Sequence, residues 1–155
     1  MRESERITDQ LKRAFEGKAW HGPSLLEILK DVTAEQAAAR PIPGAHSIWE
    51  IVLHIAVWEN VCRRRLAGDR AEPSDEEDWP RVNDMDEAAW QATKAELTEG
   101  HQKLRQAIAR LDESQLDEPI LPGMSSVYVT VQGTVQHDLY HAGQIAILKK
   151  TFFRQ

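Results

Sequence analysis

Two histidines stand four residues apart in "QHDLYHAGQ" (residues 136–144), within a stretch of helical character. On a helix His137 and His141 are separated by about 40° around the axis and about 6 Å along it. Two imidazoles so placed can converge on one divalent ion, the spacing that helical zinc sites use. The same spacing also occurs on helix faces whose histidines are only hydrogen-bonded. A third histidine, His54, shifts that balance. It lies in the apolar run "IWEIVLHIAVWENV", with Ile51 and Trp58 one turn away on either side. An imidazole buried there is costly unless both nitrogens are used, and a metal bond through one with a hydrogen bond through the other is one such use. A core histidine bonded to a backbone carbonyl is the other.

Three histidine ligands, His54, His137 and His141, would leave positions for water or substrate, as in catalytic rather than structural zinc sites. An all-nitrogen shell also suits nickel or iron(II), so the ion is left open. Gln144 continues the ligand face, and Glu59 and Asp138 adjoin the ligand-bearing faces, so these three are candidates to orient the imidazoles. His46 precedes the helix of His54, and His21 follows Trp20 in "AWHGPS". With Trp58 they are candidates for a pocket mouth, and otherwise ordinary polar residues of loops. His101 falls on the Leu97–Leu104 stripe and is read as an inward core histidine or a pocket residue. Cys62 lies about 12 Å along the axis from His54, too far to share its ion, and is assigned to packing. No Ser/His/Asp arrangement and no glycine-rich phosphate loop is present.

The remaining composition narrows the function. A chain of 155 residues fits one domain with a real core. Its net charge of −6 and the lack of a basic face argue against nucleic-acid binding. Arg63-Arg64-Arg65 reads as the solvated end of a helix. The single cysteine excludes an internal disulfide and fits a reducing compartment. With no apolar run of membrane-spanning length and no signal-type N-terminus, a soluble cytoplasmic protein acting on a small molecule is expected. Five tryptophans are many for this length, and such residues gather where a core meets a pocket or interface.

Four long helical segments would position the histidines. The first runs from about Glu3 to Lys30 and is predicted to break at Gly22-Pro23. After the loop "RPIPGAH" (Arg40–His46), Ser47 and Glu50 form a capping box that opens the second, which Gly68-Asp69 ends. An acidic, proline-containing connection, read as solvated surface, leads to a third helix from Asn83 or Asp84 to about Leu111. Leu97, Leu104, Ile108 and Leu111 mark its apolar stripe. "DEPILPGMSSVY" is irregular. The fourth helix spans roughly Tyr128 to Thr151, with a start blurred by the β-branched Val127, Val129, Thr130 and Val131. The sum is an all-α four-helix bundle in one domain.

The segments "HSIWEIVLHIAVWE" and "GTVQHDLYHAGQIAILKK", with "EDWP" and the "AAW" helix start, resemble the DinB-like superfamily of small bacterial metal-binding four-helix proteins over nearly the whole chain. In that family one histidine of the second helix and an HxxxH of the last bind a divalent ion, which implies that role for His54, His137 and His141. The resemblance further implies a metal-dependent transferase using a low-molecular-weight thiol, a thiol-dependent isomerase or a hydrolase, and a homodimer. A non-catalytic stress protein with a structural metal is the alternative.

Overall fold

The computed structural model describes residues 1–153 and is all-helical there. Seven α-helices follow in order: α1 (Glu3–Glu16), α2 (Leu25–Leu29), α3 (Ala34–Ala38), α4 (Ile48–Leu66), α5 (Asp75–Asp78), α6 (Glu87–Ala109) and α7 (Val127–Lys150), with a 3₁₀ turn at Glu113–Gln115 before α7. The four long helices form the body. Both α1 and α4 pack against α6 and α7, so α1 and α4 face each other across the bundle.

Local chemistry sets the boundaries. Ser47 Oγ accepts from the Glu50 N–H at 3.2 Å, and Glu50 Oε2 accepts from the Ser47 N–H at 2.7 Å, which is the expected capping box opening α4. The break in the first helical segment comes earlier than Gly22-Pro23: α1 stops at Gly17, whose φ of 142° is in the region glycine favours. The helix resumes only as the short α2. The third long helix begins at Glu87 rather than Asn83 or Asp84, because Asp86, not Asp84, supplies the cap, its Oδ1 accepting from the Ala89 N–H at 2.8 Å. Leu111 lies just past its end at Ala109. The β-branched run is helical from Val127 on, with Ser126 as its cap.

Buried apolar residues form two clusters along the bundle axis. Phe15, Ile51, Ile55, Leu97, Ala142, Ile145 and Leu148 belong to one. Ile7, Leu11, Cys62, Leu104, Ile108, Val131 and Val135 belong to the other. On α6 the two are separated by His101, and on α7 by the segment from His137 to His141. A polar layer therefore crosses the middle of the bundle. The tryptophans divide by role. Trp49 and Trp90 are core residues whose indoles donate to Thr93 Oγ1 at 3.1 Å and Val32 O at 2.8 Å. Trp20 is wholly exposed. None of the described helices is long and apolar enough to cross a membrane.

Leu104 on α6 is completely buried, in the cluster with Ile7 and Leu11 of α1, Cys62 of α4 and Val131 of α7. Leu104→Ala is expected to cost about 2–5 kcal/mol through lost burial and the cavity left behind. Urea denaturation checks this, and a loss below about 0.5 kcal/mol, the range of surface changes, would contradict the packing described.

Candidate metal centre

His54 sits mid-way along α4 and is 6% exposed. Its Nδ1 lies 2.9 Å from the backbone carbonyl O of Asp78, to which it donates, and 2.9 Å from Asp78 Oδ1. That bond fixes the tautomer and leaves the Nε2 lone pair facing α7. There His137 Nε2 is 3.1 Å away. His141 donates through Nδ1–H to Gln144 Oε1 at 2.7 Å, which leaves its own Nε2 unused. The three residues each offer a ligand atom, all within 4.8 Å of one another. Two nitrogens bound at 2.0–2.1 Å to one ion stand roughly 2.9–3.4 Å apart for bond angles of 90–109°. The His54–His137 separation falls in that range, so the donor set fits a divalent ion. Burial lowers the His141 pKa, against the opposing hydrogen bond of Gln144, and so favours the neutral imidazole that a metal needs.

The ring planes are held by aromatic stacking. Trp79 lies flat on His54, with ring centroids 3.9 Å apart, and its other face lies flat on His46 at 3.6 Å. Trp58 meets His54 edge-on, and its Nε1 donates to Asp78 Oδ1 at 2.6 Å. Asp78 thus anchors both a metal-facing imidazole and a wall of the site. It is placed by α5, which Ser74 and Glu77 cap reciprocally. Reading the acidic connection as solvated surface is thereby corrected for Asp78 and Trp79. The features that could have flagged them are the Ser74–Glu77 capping pattern and the tryptophan that follows it.

Behind the histidines lies a second group. Glu59, His101 and Asp138, all at most 1% exposed, offer ligand-type atoms within 4.8 Å of one another. His101 Nδ1 and Glu59 Oε1 are joined by a 2.7 Å hydrogen bond, and His101 stacks on Phe15. Asp138 Oδ1 faces His137 Nδ1 at 3.9 Å. Burial pushes the Glu59 carboxyl up to about 8 and, together with the charge of Glu59, raises Asp138 well above its ordinary value. Burial, with Arg105 nearby, lowers His101 to about 3. Burial thus drives Glu59, His101 and Asp138 toward their uncharged forms. Glu59, a candidate to orient the imidazoles, is in the fold a buried acid bonded to His101 and close to Asp138, which faces the back of His137.

A cavity of about 500 Å³ opens against the centre, lined by His46, Trp79, Tyr140, His141 and Gln144 with apolar residues such as Ile42 and Ile147. Of the residues expected at a mouth, His46 lines this cavity and Trp58 lines a separate one beside His137. His21 lines neither and is exposed on a turn next to the exposed Trp20. It stands at the break after α1 as an exposed loop residue, the other reading given for it, and not at the mouth. His101 is a core residue and lines neither cavity. Cys62 is buried in the second cluster, and burial pushes its thiol up to about 11, in keeping with a packing role.

The chain belongs to the DinB superfamily, whose family model matches residues 19–145. Among solved structures, a conserved protein from Enterococcus faecalis is similar over 97% of this chain and 96% of its own, with a TM-score of 0.74 and 18% sequence identity. At that identity the likeness establishes the shared fold. No curated protein matches the chain.

The buried acid gives a pH signature in the metal-free protein. The folded chain keeps the Glu59 proton up to about pH 8, while the unfolded chain releases it near 4.5. This contribution to stability is full below pH 4.5 and is lost as pH rises through about 8. Glu59→Gln, which cannot ionise, is expected to gain on wild type across that window, by up to about 1.4 kcal/mol per pH unit. Urea titrations of both proteins near pH 5 and near pH 8 measure it; a constant difference would contradict a protonated, buried Glu59.

Proposed function

We propose that the protein is a divalent-metal-dependent enzyme that uses His54, His137 and His141 to hold the ion and acts on a small electrophilic molecule, as a thiol transferase or a hydrolase. The observation that carries this reading is the set of three converging imidazoles beside an open cavity, with no fourth His, Cys, Asp or Glu in the group among the described residues. His46 and His101 stand outside this group, His46 stacked on Trp79 and His101 bonded to Glu59. Three protein ligands suit a site that keeps a position for water or substrate.

When bound, the ion would act as a Lewis acid and lower the pKa of a coordinated thiol or water. The protein's own residues do the rest. Asp78 and Gln144 fix which nitrogen of His54 and His141 faces the centre. Trp79 closes one side and keeps solvent from the His54 ring. The cavity carries no Asp, Glu, Lys or Arg on its lining, so it suits an uncharged, largely apolar electrophile, with Gln144 and His46 as its polar contacts. Zinc, nickel and iron(II) all suit the donor set.

A structural role, with the ion joining α4 to α7, is the competing reading, and metal removal separates the two. Tag-free protein reconstituted with zinc, nickel or iron(II) is expected to bind one ion per chain. His54→Ala is expected to weaken binding beyond the ~10–100-fold typical of losing a supporting hydrogen bond. Chelation should abolish turnover, assayed with a panel of thiols on a chloronitroarene and with water on an activated ester, while leaving the helical fold intact. Collapse of the fold on chelation would favour the structural role. Binding of no divalent ion, or no metal-dependent rate with any thiol or ester, would overturn the enzyme reading.

A further inference from the structure

The metal-facing histidines open onto two cavities. His141 lines the apolar cavity of about 500 Å³, and His137 lines another of about 290 Å³. The two linings share no residue. Along α7 the first takes Tyr140 and residues beyond it, and the second takes His137 and residues before it, so the two approach the centre from opposite ends.

Their chemistry differs as well. The second cavity contains one charged side chain, Arg65, together with Trp58, Thr130 and Thr134. Arg65 was expected to be part of a solvated helix end, but unlike the exposed Arg64 it is half-buried and held. Its Nε and Nη2 both donate to Ala71 O, at 3.2 and 2.9 Å. Its guanidinium carbon stands 5.9 Å from the centre of the Trp58 ring, and Trp58 is itself fixed by Asp78. No carboxylate pairs with Arg65 among the described residues, although Arg64 beside it is paired with Asp69. A guanidinium fixed at a cavity wall with its charge unneutralised is a ready partner for an anion. Thr130 and Thr134 donate their hydroxyl protons to Ser126 O and Thr130 O, leaving oxygen lone pairs for N–H or O–H groups of a ligand.

We propose that this cavity is a second small-molecule site, for a compound whose anionic group pairs with Arg65 while a donor atom reaches the ion past His137. The metal centre would then accommodate two organic molecules at once, an uncharged one on the His141 side and an anionic one on the His137 side. The proposal rests on the metal reading given above and adds the second site and the charge of its ligand.

Cobalt(II)-loaded protein provides a test that does not depend on turnover. It is titrated with 3-mercaptopropionate and with 2-mercaptoethanol, which present the same donor atom and differ in charge, and thiolate-to-cobalt absorption reports binding. A charge-assisted hydrogen bond to Arg65 should make the carboxylate probe bind about tenfold more tightly, an advantage that shrinks as salt is raised. Arg65→Gln should remove the advantage and leave the neutral probe unchanged, and Arg65→Lys should keep part of it. Equal binding of the two probes to wild type would overturn the second site while leaving the metal centre standing. Parallel weakening of both probes in Arg65→Gln would also overturn it, by showing that Arg65 only supports the scaffold through Ala71. Failure to bind cobalt at all would overturn the metal reading and this proposal together.

Discussion

The structure depends on a layer of ionisable side chains buried across the middle of a helical bundle. His54 and Glu59 on α4, His101 on α6, and Asp138 and His141 on α7 all lie between two apolar clusters and are at most 6% exposed. Taking such groups out of water costs far more than the apolar residues around them gain unless each is neutralised or bonded. The protein meets this demand differently on the two sides of the layer. Toward α6 burial favours the uncharged forms of the acids and of His101. Toward the α4–α7 face the imidazoles turn paired lone pairs on one point, and Glu59 Oε2, His137 Nδ1 and both Asp138 oxygens have no hydrogen-bond partner. A cation at the histidines would draw on that unspent polarity, because Asp138 stands behind His137 as the carboxylates behind metal-bound histidines do.

Much of the remaining chain can be understood as fixing that layer. The capping box of Ser47 and Glu50 sets where α4 begins and hence the register of His54 and Glu59. Asp86 does the same for α6 and His101, and Ser126 for α7. The stretch between α4 and α6 matters as much as the helices. Through α5 it brings Asp78 against His54 and Trp58, and it lays Trp79 between His54 and His46. Rigid helices supply the ligands, and a short irregular segment supplies their orientation and one wall of the cavity.

The convergence of the three histidines was legible because its signals are local: a four-residue spacing on one helix, and an imidazole stranded in an apolar run on another. The all-helical class and the capping box at Ser47 were legible for the same reason. Asp78 and Trp79 were not, because the Ser74–Glu77 capping pattern marks a helical turn in the acidic connection but not that it folds back onto α4. Glu59 was named from its place beside the ligand face, but its burial was not legible. A glutamate following a tryptophan is an ordinary helix-surface pattern, and only the approach of His101 and Asp138 from two other helices buries it. His21 was drawn to the site by its residue type, but the chain between Gly17 and Ser24 leaves it on the exterior. The start of α6 slipped because Asp84 and Asp86 both offer a capping oxygen, and in the structure Asp86 takes the role.

The central claim is that one ion sits among His54, His137 and His141. Anomalous diffraction at the zinc absorption edge, from crystals of zinc-reconstituted protein, tests it most directly. A single peak at bonding distance from the three Nε2 atoms, with the fourth position taken by solvent or a small molecule, is the predicted result. A peak among Glu59, His101 and Asp138 instead, or no peak with the imidazoles still hydrogen-bonded to one another, would contradict it.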